Sequence, residues 1–260
     1  MSATLVIQRI GVLLLILALT GCAMGESATT GLGWVSRERT RPVTHLVLHH
    51  TAADLPTSLR ILSGQDPRNR VSCHYLVTDE PAPRVIALVP EARVAFHAGE
   101  SHWRGIDNLN EVSLGIEIVH PNGDTSAYAE AQVAAVARLV RELSQRHGIP
   151  PGNVLAHSDI APGRKVDPGR FFPWERLHRE HGLGAWPDAA RTASFRDAAP
   201  PDARHLAALL RLLGYKVDAA APGSVEAAVA AFQRHWRPDK VDGKADRETV
   251  ARLRALLSPR

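Results

Sequence analysis

The densest chemistry in the chain lies in His157-Ser158-Asp159-Ile160-Ala161-Pro162-Gly163-Arg164-Lys165-Val166-Asp167-Pro168-Gly169. One imidazole, two carboxylates and two cations share this stretch with two prolines and two glycines. That composition predicts a loop, neither helix nor strand, that positions chemistry on a rigid scaffold. Imidazole nitrogen and carboxylate oxygen are zinc ligands, and three protein ligands with one open position make a hydrolytic centre. The chain has 2 cysteines, Cys22 and Cys73, too few for a thiolate-rich structural site. Any zinc must therefore rest on histidine and Asp/Glu. His157 and Asp167 are candidates within the loop, with Asp159 as the competing carboxylate. The third candidate is His49, at the end of an apolar segment. Strands of one sheet can present their C-terminal ends to a common crevice. His50 competes with His49, and because successive strand side chains point to opposite faces, one of the two is expected at the site.

Two further groups could serve such a centre. Glu117 sits in Ser113-Leu114-Gly115-Ile116-Glu117-Ile118-Val119, a segment otherwise apolar on both sides. Burying a carboxylate there is costly without a partner. The partner is either a structural cation or a metal-activated water for which Glu117 acts as general base. Lys165 is either a solvated loop lysine or the cation that polarises a scissile carbonyl and steadies its oxyanion.

The elements that must hold these groups alternate in type. Segments 43–49, 71–77, 84–89, 113–119 and 153–157 read as strands. Val133, Val136, Val140 and Leu143 recur at helical spacing, closed by Gly148, and 55–62 is a shorter helix. This pattern predicts an α/β domain with a mixed central sheet flanked by helices, over residues 41–188. Segment 189–201, rich in Ala, Arg, Asp and Pro, reads as a linker. Residues 202–258 then read as three short helices: Leu206, Leu209, Leu210 and Leu213 before Gly214, a second helix capped by Ser224, and a third capped by Asp246. A module of this size is at the small end of what folds alone.

Arg9 precedes a run of aliphatics at 10–19, shorter than the ~20 residues that span a bilayer, so it reads as a signal-peptide core. Leu19-Thr20-Gly21-Cys22 resembles a bacterial lipobox. This predicts a signal peptide over 1–21, lipidation of Cys22, and a membrane tether over 22–40. Ala23 after the cysteine implies sorting to the outer membrane of a Gram-negative cell, facing the periplasm. The hydrophobic content of 45% excludes a wholly disordered chain. A net charge of +4 is too mild and scattered to argue for nucleic acid, and it suits an anionic polymer such as a cell wall.

Five motifs in order carry a family resemblance. They are Leu46-Val47-Leu48-His49-His50-Thr51, Val71-Ser72-Cys73-His74-Tyr75-Leu76-Val77, Ala95-Phe96-His97-Ala98-Gly99, Asn110 through Glu117, and the 157–169 loop. Together they resemble the zinc-dependent N-acetylmuramoyl-L-alanine amidases of the type 2 family, most of all its two-domain lipoprotein members. The fold is shared with phage lysozyme-type amidases and animal peptidoglycan recognition proteins. The resemblance implies Zn2+ on His49, His157 and Asp167, so Asp167 rather than Asp159 is the carboxylate ligand. It implies Glu117 as the catalytic glutamate and Lys165 as the loop lysine. It further implies substrate contact by His50, His97, Trp103 and Asn110, with His50 standing where enterobacterial members carry Tyr. The C-terminal helices, with Gly214-Tyr215, Ala230-Ala231-Phe232-Gln233 and Val241-Asp242-Gly243, resemble a peptidoglycan-binding domain. The implied activity is hydrolysis of the amide between N-acetylmuramic acid and L-alanine in peptidoglycan or muropeptides. The rivals are a non-catalytic peptidoglycan binder and a zinc peptidase; the latter is disfavoured because no helical His-Glu-x-x-His pattern is present.

Overall fold

A computed structural model describes residues 36–259 except 64–67 and 69. The aliphatic run at 10–19 and the lipobox cysteine lie outside the described residues. Among the described residues, no helix is long and apolar enough to cross a membrane.

The central sheet forms from the strands that were apolar on both faces. They are β2 (His45–His50), β3 (Tyr75–Val77), β4 (Val85–Ala87), β8 (Ser113–Ile118) and β9 (Val154–Ala156), in the order β4-β3-β8-β2-β9. The neighbours β3, β8, β2 and β9 run parallel, and β4 is antiparallel to β3, which makes the sheet mixed. Leu46, Val47 and Leu48 of β2 are wholly buried, as expected of a parallel strand covered on both faces. Four short strands lie outside this sheet. β1 (Ser36–Glu38) pairs antiparallel with β5 (Arg93–Ala95), and β6 (His102–Trp103) pairs with β7 (Ile106–Asp107). The end of the segment expected to be a tether, 22–40, is therefore a paired strand.

Helix α1 (Leu55–Leu62) starts at Asp54, whose side chain accepts from Thr57 N–H. Helix α2 (Glu130–His147) buries Val133, Val136, Val140 and Leu143 and ends at Gly148 with φ 65°. That left-handed conformation suits glycine as a helix stop. The start of the 157–169 loop is a single helical turn, α3 (His157–Ile160), not the irregular segment its prolines and glycines predict. Asp159 makes the turn possible by accepting from Ala156 N–H at 2.8 Å, while both prolines fall after it.

Helix α4 (Trp174–His181) completes the first layer. Segment 189–201, expected to be a linker, opens with a two-turn helix, α5 (Ala189–Phe195). Asp188 caps it by accepting from Arg191 N–H, and Thr192 is its buried residue. Two turns are too short to show an apolar period. Helices α6 (Ala203–Leu213), α7 (Ser224–Trp236) and α8 (Arg247–Leu257) follow. Asp246 caps α8 as expected. Ser224 does not cap α7: Gly223 occupies that position, and the Ser224 hydroxyl accepts instead from Asp218 N–H.

The apolar core does not stop at the domain boundary. Trp103 and Trp174 from the α/β layer join Leu210, Tyr215, Phe232 and Trp236 from the helical region in one continuous cluster.

Candidate active site

Register assembles the site. In the sheet, His49 of β2 sits beside Glu117 of β8, and Leu48 sits beside Ala156 of β9. The next residue after Ala156 is His157. Three neighbouring parallel strands therefore deliver Glu117, His49 and His157 at one level, at their C-terminal ends. The loop then returns Asp167, held by a bond from Ser158 N–H to its carbonyl at 3.0 Å.

His49, His157 and Asp167 form the one cluster among the described residues whose atoms could hold a metal. His49 Nδ1 lies 2.9 Å from His157 Nδ1 and 3.1 Å from Asp167 Oδ2, and His157 Nδ1 lies 2.9 Å from the same oxygen. The far nitrogen of each ring is also engaged. His157 Nε2 donates to the Ala98 carbonyl at 3.1 Å, and His49 Nε2 faces His97 Nδ1 at 3.0 Å.

These contacts test whether a cation fits. A nitrogen facing a carbonyl must donate, so Nδ1 is the His157 nitrogen turned into the site. There His157 Nδ1, His49 Nδ1 and Asp167 Oδ2 converge within 3.1 Å of one another, closer than three acceptors approach without a proton or a cation between them. Burial, reinforced by His157, brings His49 down to about 4, so its imidazole is neutral at pH 7. Burial alone would raise Asp167, but His157 and His49 hold it well below the usual carboxylate range. Two imidazoles and one carboxylate are a zinc donor set. Their separations approach the ~3.3–3.4 Å edge of a tetrahedron with zinc bonds of about 2.0–2.1 Å. Asp159 points elsewhere, toward the helical domain.

A cleft of about 200 Å³ opens over these groups, lined by Glu117, Lys165, His97, His50, Ile61 and Val71 among others. Glu117 Oε2 is shielded from solvent and has no partner among the described residues. Burial, with Asp167 adding and Lys165 opposing, pushes the Glu117 carboxyl up to about 8. Among the described residues no cation forms a salt bridge with Glu117, so the structural ion pair, the first of its two expected readings, finds no partner there.

The four residues expected at the substrate divide. His50 lines the cleft, with Nδ1 3.2 Å from the Pro168 carbonyl. Thus both members of the His49-His50 pair border the site, because β2 ends there and the alternation of strand faces no longer applies. His97 lines the cleft too, while bridging His49 and the Ser113 hydroxyl. Trp103 is 1% exposed and packs edge-on against Tyr215. Its bulk belongs to the domain junction and not to an open groove. Asn110 is also turned inward: its Oδ1 accepts from His97 N–H and Ala98 N–H at 2.9 and 2.8 Å. It shapes the loop that carries His97.

The sequence motifs gave Tyr215 only as part of the C-terminal resemblance and missed His235; both meet the turn that carries His157 from the helical domain. Nothing local marks them, since both lie more than fifty residues from their partner. Gly115 carried a signal that was not used. A Cβ there would lie 2.4 Å from the His97 ring, so glycine in the midst of an apolar strand marks a close approach.

Residues 39–170 match the family model described as N-acetylmuramoyl-L-alanine amidase, and residues 200–253 match that of a putative peptidoglycan binding domain. The chain is 42% identical over 229 residues to the N-acetylmuramoyl-L-alanine amidase AmiD of Escherichia coli (strain K12), covering 82% of this chain and 81% of that protein. It superposes with a TM-score of 0.77 and 39% identity on the structure of E. coli AmiD in complex with anhydro-N-acetylmuramic acid-L-Ala-D-gamma-Glu-L-Lys, covering 85% of this chain and 91% of that one. The structure of AmpDh3 from Pseudomonas aeruginosa gives a TM-score of 0.77 at 37% identity, covering 92% of this chain and 97% of that one.

Proposed function

The chain belongs to the N-acetylmuramoyl-L-alanine amidase family, and from this premise we propose that His49, His157 and Asp167 hold a zinc ion, with Glu117 and Lys165 as its catalytic residues. The protein is a hydrolase of peptidoglycan, and its bond is the amide joining the lactyl group of N-acetylmuramic acid to L-alanine. Zinc held by three protein ligands supplies an open position for water, lowers the pKa of that water toward ~7 and polarises a carbonyl.

The chain's own groups do the rest. Glu117 takes the proton of the attacking water and returns it to the leaving amine. Its raised proton affinity suits both halves of that task. At pH 7 the reaction needs Glu117 ionised at the start, and both Lys165 and a divalent cation beside Asp167 favour that form. Lys165, lining the same cleft, donates to the oxygen that becomes negative as the carbonyl turns tetrahedral. His97 and the Ala98 carbonyl fix the two imidazoles, as partners of metal-binding histidines do. His50 and the apolar rim of Ile61 and Val71 are left to contact substrate.

The observation that carries this reading is the buried Glu117 oxygen, without a partner, facing a converged His-His-Asp triad. Glu117→Gln keeps the shape and removes the base. The expected outcome is a kcat lower by ~10²–10⁴-fold, with one zinc per chain retained in elemental analysis. Wild-type turnover in that variant removes Glu117 from its role.

Two finer assignments rest on resemblance. Relatives solved with anhydro-muramyl peptides support acceptance of such fragments here. Leu19-Thr20-Gly21-Cys22 supports a lipid anchor at Cys22 that holds the enzyme on the outer membrane, with residues 41–188 as catalytic domain and 202–258 as wall-binding domain.

A further inference from the structure

The turn that carries His157 is too short to hold itself. Helix α3 has four residues, and a single turn gains too few hydrogen bonds to repay the order it imposes. Its fixed point is Asp159, which is wholly buried. Asp159 Oδ2 caps the turn by accepting from Ala156 N–H at 2.8 Å. Its other two donors come from the helical domain. Tyr215 O–H donates to Oδ1 at 3.0 Å, and His235 Nδ1 donates to Oδ2 at 2.6 Å.

Both donors are themselves locked. Tyr215 is 1% exposed and meets the edge of Trp103. The His235 ring is sandwiched between Trp174 and Trp236, with centroids 3.8 Å away on each side. Helix α7 also presses on the loop beyond the turn, where a Cβ on Gly163 would lie 3.2 Å from Ala227 Cβ. Cementing two domains does not require a buried carboxylate on a ligand-bearing turn. The junction already has the Trp236 bond to the Ala185 carbonyl and the Arg104 contacts to the Leu213 and Gly214 carbonyls. A buried carboxylate stripped of its donors is strongly unfavourable. Without Tyr215 and His235, Asp159 would seek water and turn α3 with it. His157 would then leave its place 2.9 Å from both His49 Nδ1 and Asp167 Oδ2.

We propose that Tyr215 and His235 of the helical domain are positioning residues for the metal centre, acting through Asp159 on the turn that carries His157. The domain that binds the wall thereby also completes the site that cuts it. This inference rests on the metal reading of His49, His157 and Asp167.

The test uses the full chain and two readouts that simple loss of packing would not move. They are the zinc dissociation constant, by competition with a chromogenic chelator, and the visible spectrum of the Co2+-substituted protein. Tyr215→Phe removes one oxygen atom, His235→Ala removes the second donor, and His235→Asn restores a donor at that place. Arg104→Gln is the control, removing the bond to the Leu213 carbonyl at the same junction, a bond that involves neither Asp159 nor its two donors. Tyr215→Phe and His235→Ala should weaken zinc binding about 10-fold or more and shift the cobalt bands, His235→Asn should recover part of the loss, and Arg104→Gln should stay within about twofold of wild type. If His235→Ala does not fold, Tyr215→Phe decides alone. Wild-type zinc affinity and spectrum in Tyr215→Phe, or an equal loss in Arg104→Gln, overturns the inference. A wild-type chain that binds no zinc overturns the metal reading first, and this one with it.

Discussion

At the residue scale, most of the site was legible because its chemistry is written in residue types. Histidine and aspartate at strand ends and in a Pro/Gly loop nominated the triad, and a lone carboxylate in an apolar strand nominated Glu117. What was not legible was which polar residues face substrate and which face inward. Asn110 and Trp103 were expected at the groove, but both turn into the protein; their motif shows that they matter, not which way they point. His74 is a further case of a polar group used internally. Its Nδ1 accepts from Gly115 N–H at 2.9 Å, and Nε2 faces the Arg93 carbonyl at 3.1 Å. Burial pushes it down to about 3. The unfolded chain therefore binds a proton below its ordinary value of ~6.5 that the folded chain refuses. The neutral ring contributes its full stability above that value, and the contribution is lost as pH falls toward about 3. His74→Gln can keep both bonds without titrating. Its acid denaturation should lose up to one proton's worth of pH dependence, ~1.4 kcal/mol per pH unit, in chemical unfolding followed between pH 4 and 7. An unchanged slope would show that His74 does not titrate this way.

At the element scale, the decisive fact is register. Glu117, His49 and His157 stand in one row because β8, β2 and β9 are parallel neighbours. Alternation and apolar content marked these strands in the sequence, but their order in the sheet is a tertiary outcome that no local pattern encodes. The same limit explains α5, whose two turns carry one buried residue, Thr192, and α3, whose cap is a residue of its own turn. Gly115 shows how tightly the row is built. His97 packs where a Gly115 side chain would be, and His97 in turn faces His49. Gly115→Ala should therefore displace His97 and disturb His49, the proposed metal ligand that it faces. Overpacking of this kind costs about 1–3 kcal/mol, and the thermal midpoint of the zinc-free protein should drop accordingly. Zinc affinity should fall in the same variant. Stability loss with wild-type zinc affinity would uncouple His97 from the ligand.

At the scale of the whole molecule, two sequence-distant units share one apolar core and one buried hydrogen-bond cluster around Asp159. The sequence suggested two domains joined by a linker; the structure shows a helix in place of half that linker and a junction that reaches the turn carrying His157. Fold and family describe an amidase of peptidoglycan, with the triad as its proposed zinc site and the helical domain as its proposed grip on the wall. The rivals were a binder that cuts nothing and a peptidase that cuts within the stem. Mass spectrometry of muropeptides after digestion separates all three. The zinc-loaded protein should release intact stem peptides beginning with L-alanine and leave the sugar with its lactyl group whole, with release abolished by chelation and restored by zinc. Peptides cut internally, or no product from the zinc-loaded protein, would contradict the assignment.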